Sequence, residues 1–297
     1  MKDVLKTILK LTYCYKFFGL LLTAGILQSC YPEEKLNVEV SEEQELINEL
    51  DVYIQENFTD EFNVVVRYKF VDNFVEPTQR VSPPKIESVR PMLDFIEEFW
   101  IGPYLEVENG EAFFRRYVPS ELVFLGGSIY NTDGTRTLGI ADAGARITFT
   151  NVNDIDVDDE EWMDLQLQVT FHEFAHIVHQ EFALPTGFET ISPEGYTSAG
   201  SWFVLEDQEA LERGFVSPYG TLNPNEDFAE VIAFFLFDDE FYEKFIDQEE
   251  NCITAECEAA NEGKTKISEK LVLIMDHYQK STGLNLEEVR NAVLSRL

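Results

Sequence analysis

Three of the chain's four histidines, His172, His176 and His179, fall within the thirteen residues QVTFHEFAHIVHQ, 168–180. On a helix, residues four apart share a face, with Cα atoms about 6 Å apart. His172 and His176 can therefore reach one ion together, and Glu173 beside the first can point at a water in the ion's open position. The spacing H-E-x-x-H suits zinc for this reason: two imidazoles fix the metal and the carboxylate acts as base. Val169, Thr170, Phe174, Ala175, Ile177 and Val178 are uncharged, so the site should be buried and dry, which strengthens its electrostatics. The competing reading is a buried histidine pair on a core helix.

A catalytic zinc takes three protein ligands and keeps a fourth place for water. His179 is the nearest candidate for the third, but at 1.5 Å rise per residue it stands about 10 Å along the axis from His172. That is too far for all three histidines to share one tetrahedral ion. Its angular position matches His172, which suits a supporting hydrogen bond, a contact to substrate at the cleft edge, or a satisfied histidine on that face. Better candidates lie in FVSPYGTLNPNEDFAEVIAFF, where Glu226 and Glu230 are four apart and face one way from a second helix. One can bind zinc; the other can accept a hydrogen bond from the far nitrogen of a ligand histidine and fix its tautomer. A solvated acidic helix start would account for Glu226 and Asp227. It accounts poorly for Glu230, set among Phe228, Ala229, Val231 and Ile232.

The elements that must position these residues read as follows. Residues 42–57 place Leu46, Leu50, Tyr53 and Ile54 on one helical face. Residues 63–70 are β-branched and strand-like, and 85–101 read as a helix with Pro91 near its first turn. A strand over 120–130 should bend at Gly126-Gly127, and ARITFTNV (145–152) alternates as another strand. The histidine helix spans 160–182. A punctuated loop (184–201), a short helix within 202–214 and a second loop lead to an apolar helix over 226–246. Helices over 266–281 and 285–296 finish the chain, with STGLN between them as break and cap. Strands and helices followed by mostly helices argue an α+β fold with a small mixed or antiparallel sheet and a helical C-terminal part.

With 297 residues, 44% hydrophobic and 13% aromatic, the chain can bury a substantial core. Fifty-six acids against 22 bases give a net charge of −34, which speaks for solubility and against nucleic acid as a partner. Lys2, Lys6, Lys10 and Lys16 precede an apolar run from Phe17 to Leu27, the pattern of a secretory leader too short for a comfortable membrane span of about 20 residues. The run ends in LQSC, which resembles a bacterial lipobox. In that reading residues 1–29 are removed, Cys30 carries the lipid, 30–41 form an acidic tether and 42–297 form the folded domain. An uncleaved anchor, or a leader cut elsewhere, are the alternatives. Cys252 and Cys257 remain for the fold; export makes a local disulfide across CITAEC possible, and spacing alone leaves it open.

A HExxH helix, a long loop and a second helix bearing ExxxE resemble the gluzincin pattern. More narrowly, HEFAHIVHQ with GFVSPYGTLNPNEDFAE resembles the zinc metallopeptidase lipoproteins of Bacteroidota, the substrate import-associated zinc metallohydrolases encoded beside outer-membrane nutrient importers. The second block is also similar to the catalytic domain of anthrax lethal factor. The resemblance implies a zincin-like domain with one zinc held by His172, His176 and Glu226. It makes Glu173 the general base and Glu230 the partner of a ligand histidine. Tyr219 becomes the donor to the tetrahedral oxyanion, with His179 beside it. Asp227 stands where the toxin motif has phenylalanine, which raises the question of whether it competes for the metal. Acidic Glu33 and Glu34 after Cys30 resemble a surface-export signal. The implied protein is an outer-membrane lipoprotein, exposed at the cell surface, acting on a peptide or protein substrate and associated with an import complex.

Two other readings stay open: a non-catalytic accessory of an import complex whose zinc is structural, and an acidic surface-interaction lipoprotein without metal. Glu173 favours the enzyme, since a structural site needs no base. ARITFTNV is the candidate sheet edge for pairing with an extended substrate.

Overall fold

A computed structural model describes residues 41–69, 78–130, 136–137, 139–142, 146–197 and 201–297. The expected leader, Cys30 and all of the tether but its last residue lie outside them. Residues 42–297 cluster as one unit.

The strands are β1 (Val65–Arg67), β2 (Glu121–Phe124), β3 (Ile129–Tyr130), β4 (Arg136–Thr137), β5 (Gly139–Asp142) and β6 (Arg146–Phe149). Four of them make one sheet in the order β1-β2-β6-β5. β1 and β6 run parallel to β2, with Leu122 opposite Val66 on one side and Ile147 on the other; β5 runs antiparallel to β6, with Ile140 opposite Thr148. The sheet is therefore mixed. β2 is apolar on both faces: Leu122 and Phe124 join the main core, while Val123 packs with Leu125 and Ile129. A near-continuous apolar run is what a strand buried on both sides requires.

The strand expected over 120–130 stops at Phe124. Gly126 N donates to Ser82 O at 2.8 Å, and a Cβ on Gly126 would lie 2.1 Å from Pro83 O, so only glycine admits this crossing. Ile129 and Tyr130 then pair with β4 in a separate ladder. ARITFTNV supplies β6, which is flanked by β2 and β5. It is not an edge; the outer strand beside it is β5, in a stretch that the sequence presents only as turn-rich.

Among the described residues, the α-helices of seven residues or more are α1 (Glu42–Ile54), α2 (Ile86–Phe95), α3 (Gly110–Tyr117), α4 (Glu160–His179), α5 (Asp207–Arg213), α6 (Pro224–Phe237), α7 (Ala255–Thr282) and α8 (Leu286–Leu294). α1 and α2 each run on through a π-helical turn, Gln55–Thr59 and Ile96–Ile101. The helix expected over 226–246 ends at Phe237, because Asp238 turns the chain. Its carboxylate accepts from Glu240 N at 2.9 Å and opens the short helix Phe241–Phe245. The helix expected to start at 266 begins eleven residues earlier, at Ala255. Thr254 caps it, and the Cys252–Cys257 disulfide, with Cα atoms 5.5 Å apart, closes its entry.

α4 packs on α6, and α4 also lies against the sheet and the aromatic cluster made by the residues after α2. Phe174, next to Glu173, sits within 6.0 Å of the rings of Trp100, Tyr104, Phe113 and Phe114. Edge-on contacts of this kind fix orientation as well as buried area. They set the roll of α4 about its axis and hence the direction of the two ligand-type histidines.

Candidate metal centre

α4 starts where Asp159 accepts a hydrogen bond from Trp162 N at 3.2 Å, with Glu160 and Glu161 following at the positive end of the helix. α6 starts at Asn223, whose side chain accepts from Asn225 N at 2.9 Å and Glu226 N at 3.2 Å, with Pro224 in the first turn. This cap places Glu226 in the first turn of α6, facing α4.

Three donor atoms meet between the helices. Glu226 Oε2 lies 3.1 Å from His172 Nε2 and 3.0 Å from His176 Nε2, and the two nitrogens are 3.0 Å apart. An ion about 2.0–2.2 Å from each of three tetrahedral donors would hold them about 3.3–3.6 Å apart. The triangle is thus close to three corners of a tetrahedron. Among the described residues, His172, His176 and Glu226 are the one group of three or more His, Cys, Asp or Glu drawn together in this way. Two imidazole nitrogens and a carboxylate are a donor set that fits zinc.

Behind the triangle, His172 Nδ1 lies 2.7 Å from Glu230 Oε1. Glu230 is 1% exposed. Ser217 donates its hydroxyl to Glu230 Oε2, and Gln168 Nε2 approaches the same oxygen at 3.2 Å. Burial pushes the His172 imidazolium down, but Glu226 and Glu230 outweigh it and bring its pKa up to about 10. Burial likewise opposes charge on Glu226, yet contacts with His172 and His176 hold its carboxyl well below the usual range. Each group thus favours the charged form of the other: the carboxylates favour the His172 cation, and the histidines favour the Glu226 anion.

Glu173 is close enough for its charge to act on both His172 and Tyr219. The Tyr219 ring stands 5.7 Å from the His172 ring. Burial first, then the charges of Glu226, Glu173 and Glu230, push its phenol far up, so it stays protonated at neutral pH. His179 does not join the triangle. Its Nε2 lies 3.3 Å from Asn225 Oδ1 and its ring 5.1 Å from that of Phe228. Asp227 does not compete for the triangle either: its Oδ2 lies 2.7 Å from Lys270 Nζ, both side chains being fully buried, and accepts from Tyr196 Oη at 2.8 Å. Burial pushes the Asp227 carboxyl up to about 6 and the Lys270 ammonium down.

Residues 43–287 match a protein family described as "putative zinc-binding metallo-peptidase". The chain belongs to this family. A crystal structure of a "putative zinc-binding metallo-peptidase" from Bacteroides caccae ATCC 43185 is similar to it, with 27% identity and a TM-score of 0.68 over 87% of this chain and 94% of that one. The α+β fold with its small sheet is thus the fold of a described member of this class. No curated protein matches the chain.

Gln168, Ser217, Tyr196 and Lys270 were not legible as parts of this region. Two carry a recoverable signal. Gln168 is four residues before His172 and so shares its face. Lys270 falls in the stripe Ile267, Leu271, Ile274 of α7, and a lysine there must meet an anion. Ser217 and Tyr196 lie in loops, where no periodicity marks them.

Proposed function

We propose that the protein is a gluzincin-like zinc peptidase that cleaves amide bonds by attack of water, with one ion held by His172, His176 and Glu226. The observation that carries this reading is the donor triangle, with Tyr219 and the charge of Glu173 close to His172. Bound there, zinc would polarise the scissile carbonyl and acidify a coordinated water. Glu173 takes the proton of the attacking water and passes it to the leaving amine. Tyr219 donates from its neutral phenol to the developing oxyanion. Glu230 holds His172 with Nδ1 protonated, so Nε2 presents its lone pair to the metal. His179 braces the start of α6 through Asn225, one residue before Glu226. An extended substrate would pair with the outer side of β5. The lipobox-like LQSC and the acids after Cys30 support anchoring as an outer-membrane lipoprotein facing the cell surface.

Zinc stoichiometry and peptide hydrolysis test the reading together. Wild type should bind one zinc, and Glu226→Ala should lose it. Glu173→Gln should keep the zinc and lose hydrolysis by about 10²–10⁴-fold. Equal hydrolysis by wild type and Glu173→Gln would overturn the mechanism.

A further inference from the structure

Among the described phenylalanines, only Phe203 lies mostly in solvent, at 64% exposed, and the next residue, Val204, is 67% exposed. They occupy the short turn Trp202–Val204 together with Trp202. Leaving two adjacent large apolar side chains in water forgoes burial that would be favourable for each, and a contiguous apolar patch marks a contact surface. The place of the patch indicates which contact. The Trp202 ring is 6.0 Å from Phe203 and 5.0 Å from Tyr219, which in turn is 5.7 Å from His172. Each ring is within about one extended residue or two of the next, at ~3.4 Å per residue, so a peptide threaded past His172 reaches Phe203 within a few positions.

The turn is also held in place. Leu205 N donates to Trp202 O at 3.1 Å. Directly after it, Glu206 and Glu209 form a reciprocal capping box at the start of α5. A platform fixed in this way has little ordering left to do when a ligand arrives. The exposed acids Glu206 and Asp207 border it and disfavour an acidic side chain there.

We propose that Trp202, Phe203 and Val204 form a specificity subsite for a large apolar side chain, aromatic or branched aliphatic, a few residues from the scissile bond. The subsite rests on the peptidase reading for its role in turnover, but its binding preference does not need catalysis. Peptide sets carrying Phe, Leu, Ser or Asp at each position around one cleavable bond are compared on zinc-loaded full-length protein. At one position, Phe or Leu should exceed Ser about tenfold in kcat/KM, with Asp lowest. Phe203→Ser/Val204→Ser should collapse that ratio to within about twofold. The same labelled peptides are titrated by anisotropy onto zinc-loaded Glu173→Gln protein, with and without the double substitution. Tighter binding of the apolar peptides that vanishes with the double substitution supports the subsite even if no peptide is cleaved; that result would sink the peptidase reading alone. No apolar preference in binding, or a preference that survives the double substitution, overturns the subsite.

Discussion

Glu230→Gln isolates the part of the centre that lies behind the donor triangle and outside it. The substitution keeps the shape of a side chain that is almost fully buried and removes one charge. In wild type, the carboxylate faces His172 Nδ1 at 2.7 Å, the Ser217 hydroxyl and Gln168 Nε2 at 3.2 Å. All three are donors when Nδ1 is protonated. A glutamine offers one accepting oxygen, so its NH2 must oppose at least one of them. A buried donor left unmet costs about 1–3 kcal/mol. The imidazole also loses the anion that makes it a better ligand; loss of such an outer partner typically weakens metal binding about 10–100-fold. The assay is competition for zinc against a chromogenic chelator at pH 7.5, with urea unfolding of the metal-free protein as the control for folding. Glu230→Gln should fall in that 10–100-fold window, and Glu226→Gln well below it. Zinc affinity within twofold of wild type in a folded Glu230→Gln protein would refute the argument that Glu230 tunes His172.

Three further outcomes are expected. In the proposed mechanism Tyr219→Phe removes a donor to charge that develops only in the transition state, so kcat should drop about 10²–10³-fold with KM little changed; a rise in KM alone would make Tyr219 a binding residue. Phe174→Ala empties the middle of an aromatic cluster and should cost about 3–5 kcal/mol in urea unfolding, with a loss below 1 kcal/mol contradicting its role in fixing α4. Burial opposes charge on Glu121, but Arg67 and Arg146 outweigh it and lower its carboxyl. Its folded pKa is thus below its unfolded one, so its stabilisation is present above the unfolded value and fades as pH falls through the folded one. Glu121→Gln should lower the urea midpoint at pH 7, and the deficit should disappear on acidification; a deficit unchanged down to pH 3 would rule out the ionic account.

The legible parts of the chain were those with a period. HEFAH on an apolar helix fixed which two imidazoles could share an ion, and the four-residue spacing of Glu226 and Glu230 placed both on one face. The structure brings the same residues to one point. The axial argument against His179 matches its place on Asn225. What the sequence hid has physical causes. β5 lies in a stretch rich in turn residues. The first ten residues of α7 carry no apolar stripe, since that end is held by the Thr254 cap and the disulfide. The break at Asp238 depends on one side chain folding back on the backbone, which an apolar pattern overrides when read alone. ARITFTNV alternates like a half-exposed strand, yet its sheet partners on both sides make it interior.

The Lys270–Asp227 contact ties the last long helix to the helix that carries Glu226. Its consequence is that the pair of helices carrying the three donors is not a portable module. A fragment ending before α7 would keep HEFAH and NEDFAE in full and still leave the Asp227 carboxylate without its ammonium, one residue from the third donor. Truncations, fusions and grafts in this family should therefore be cut beyond residue 282, however far from the zinc-type donors that boundary lies in sequence.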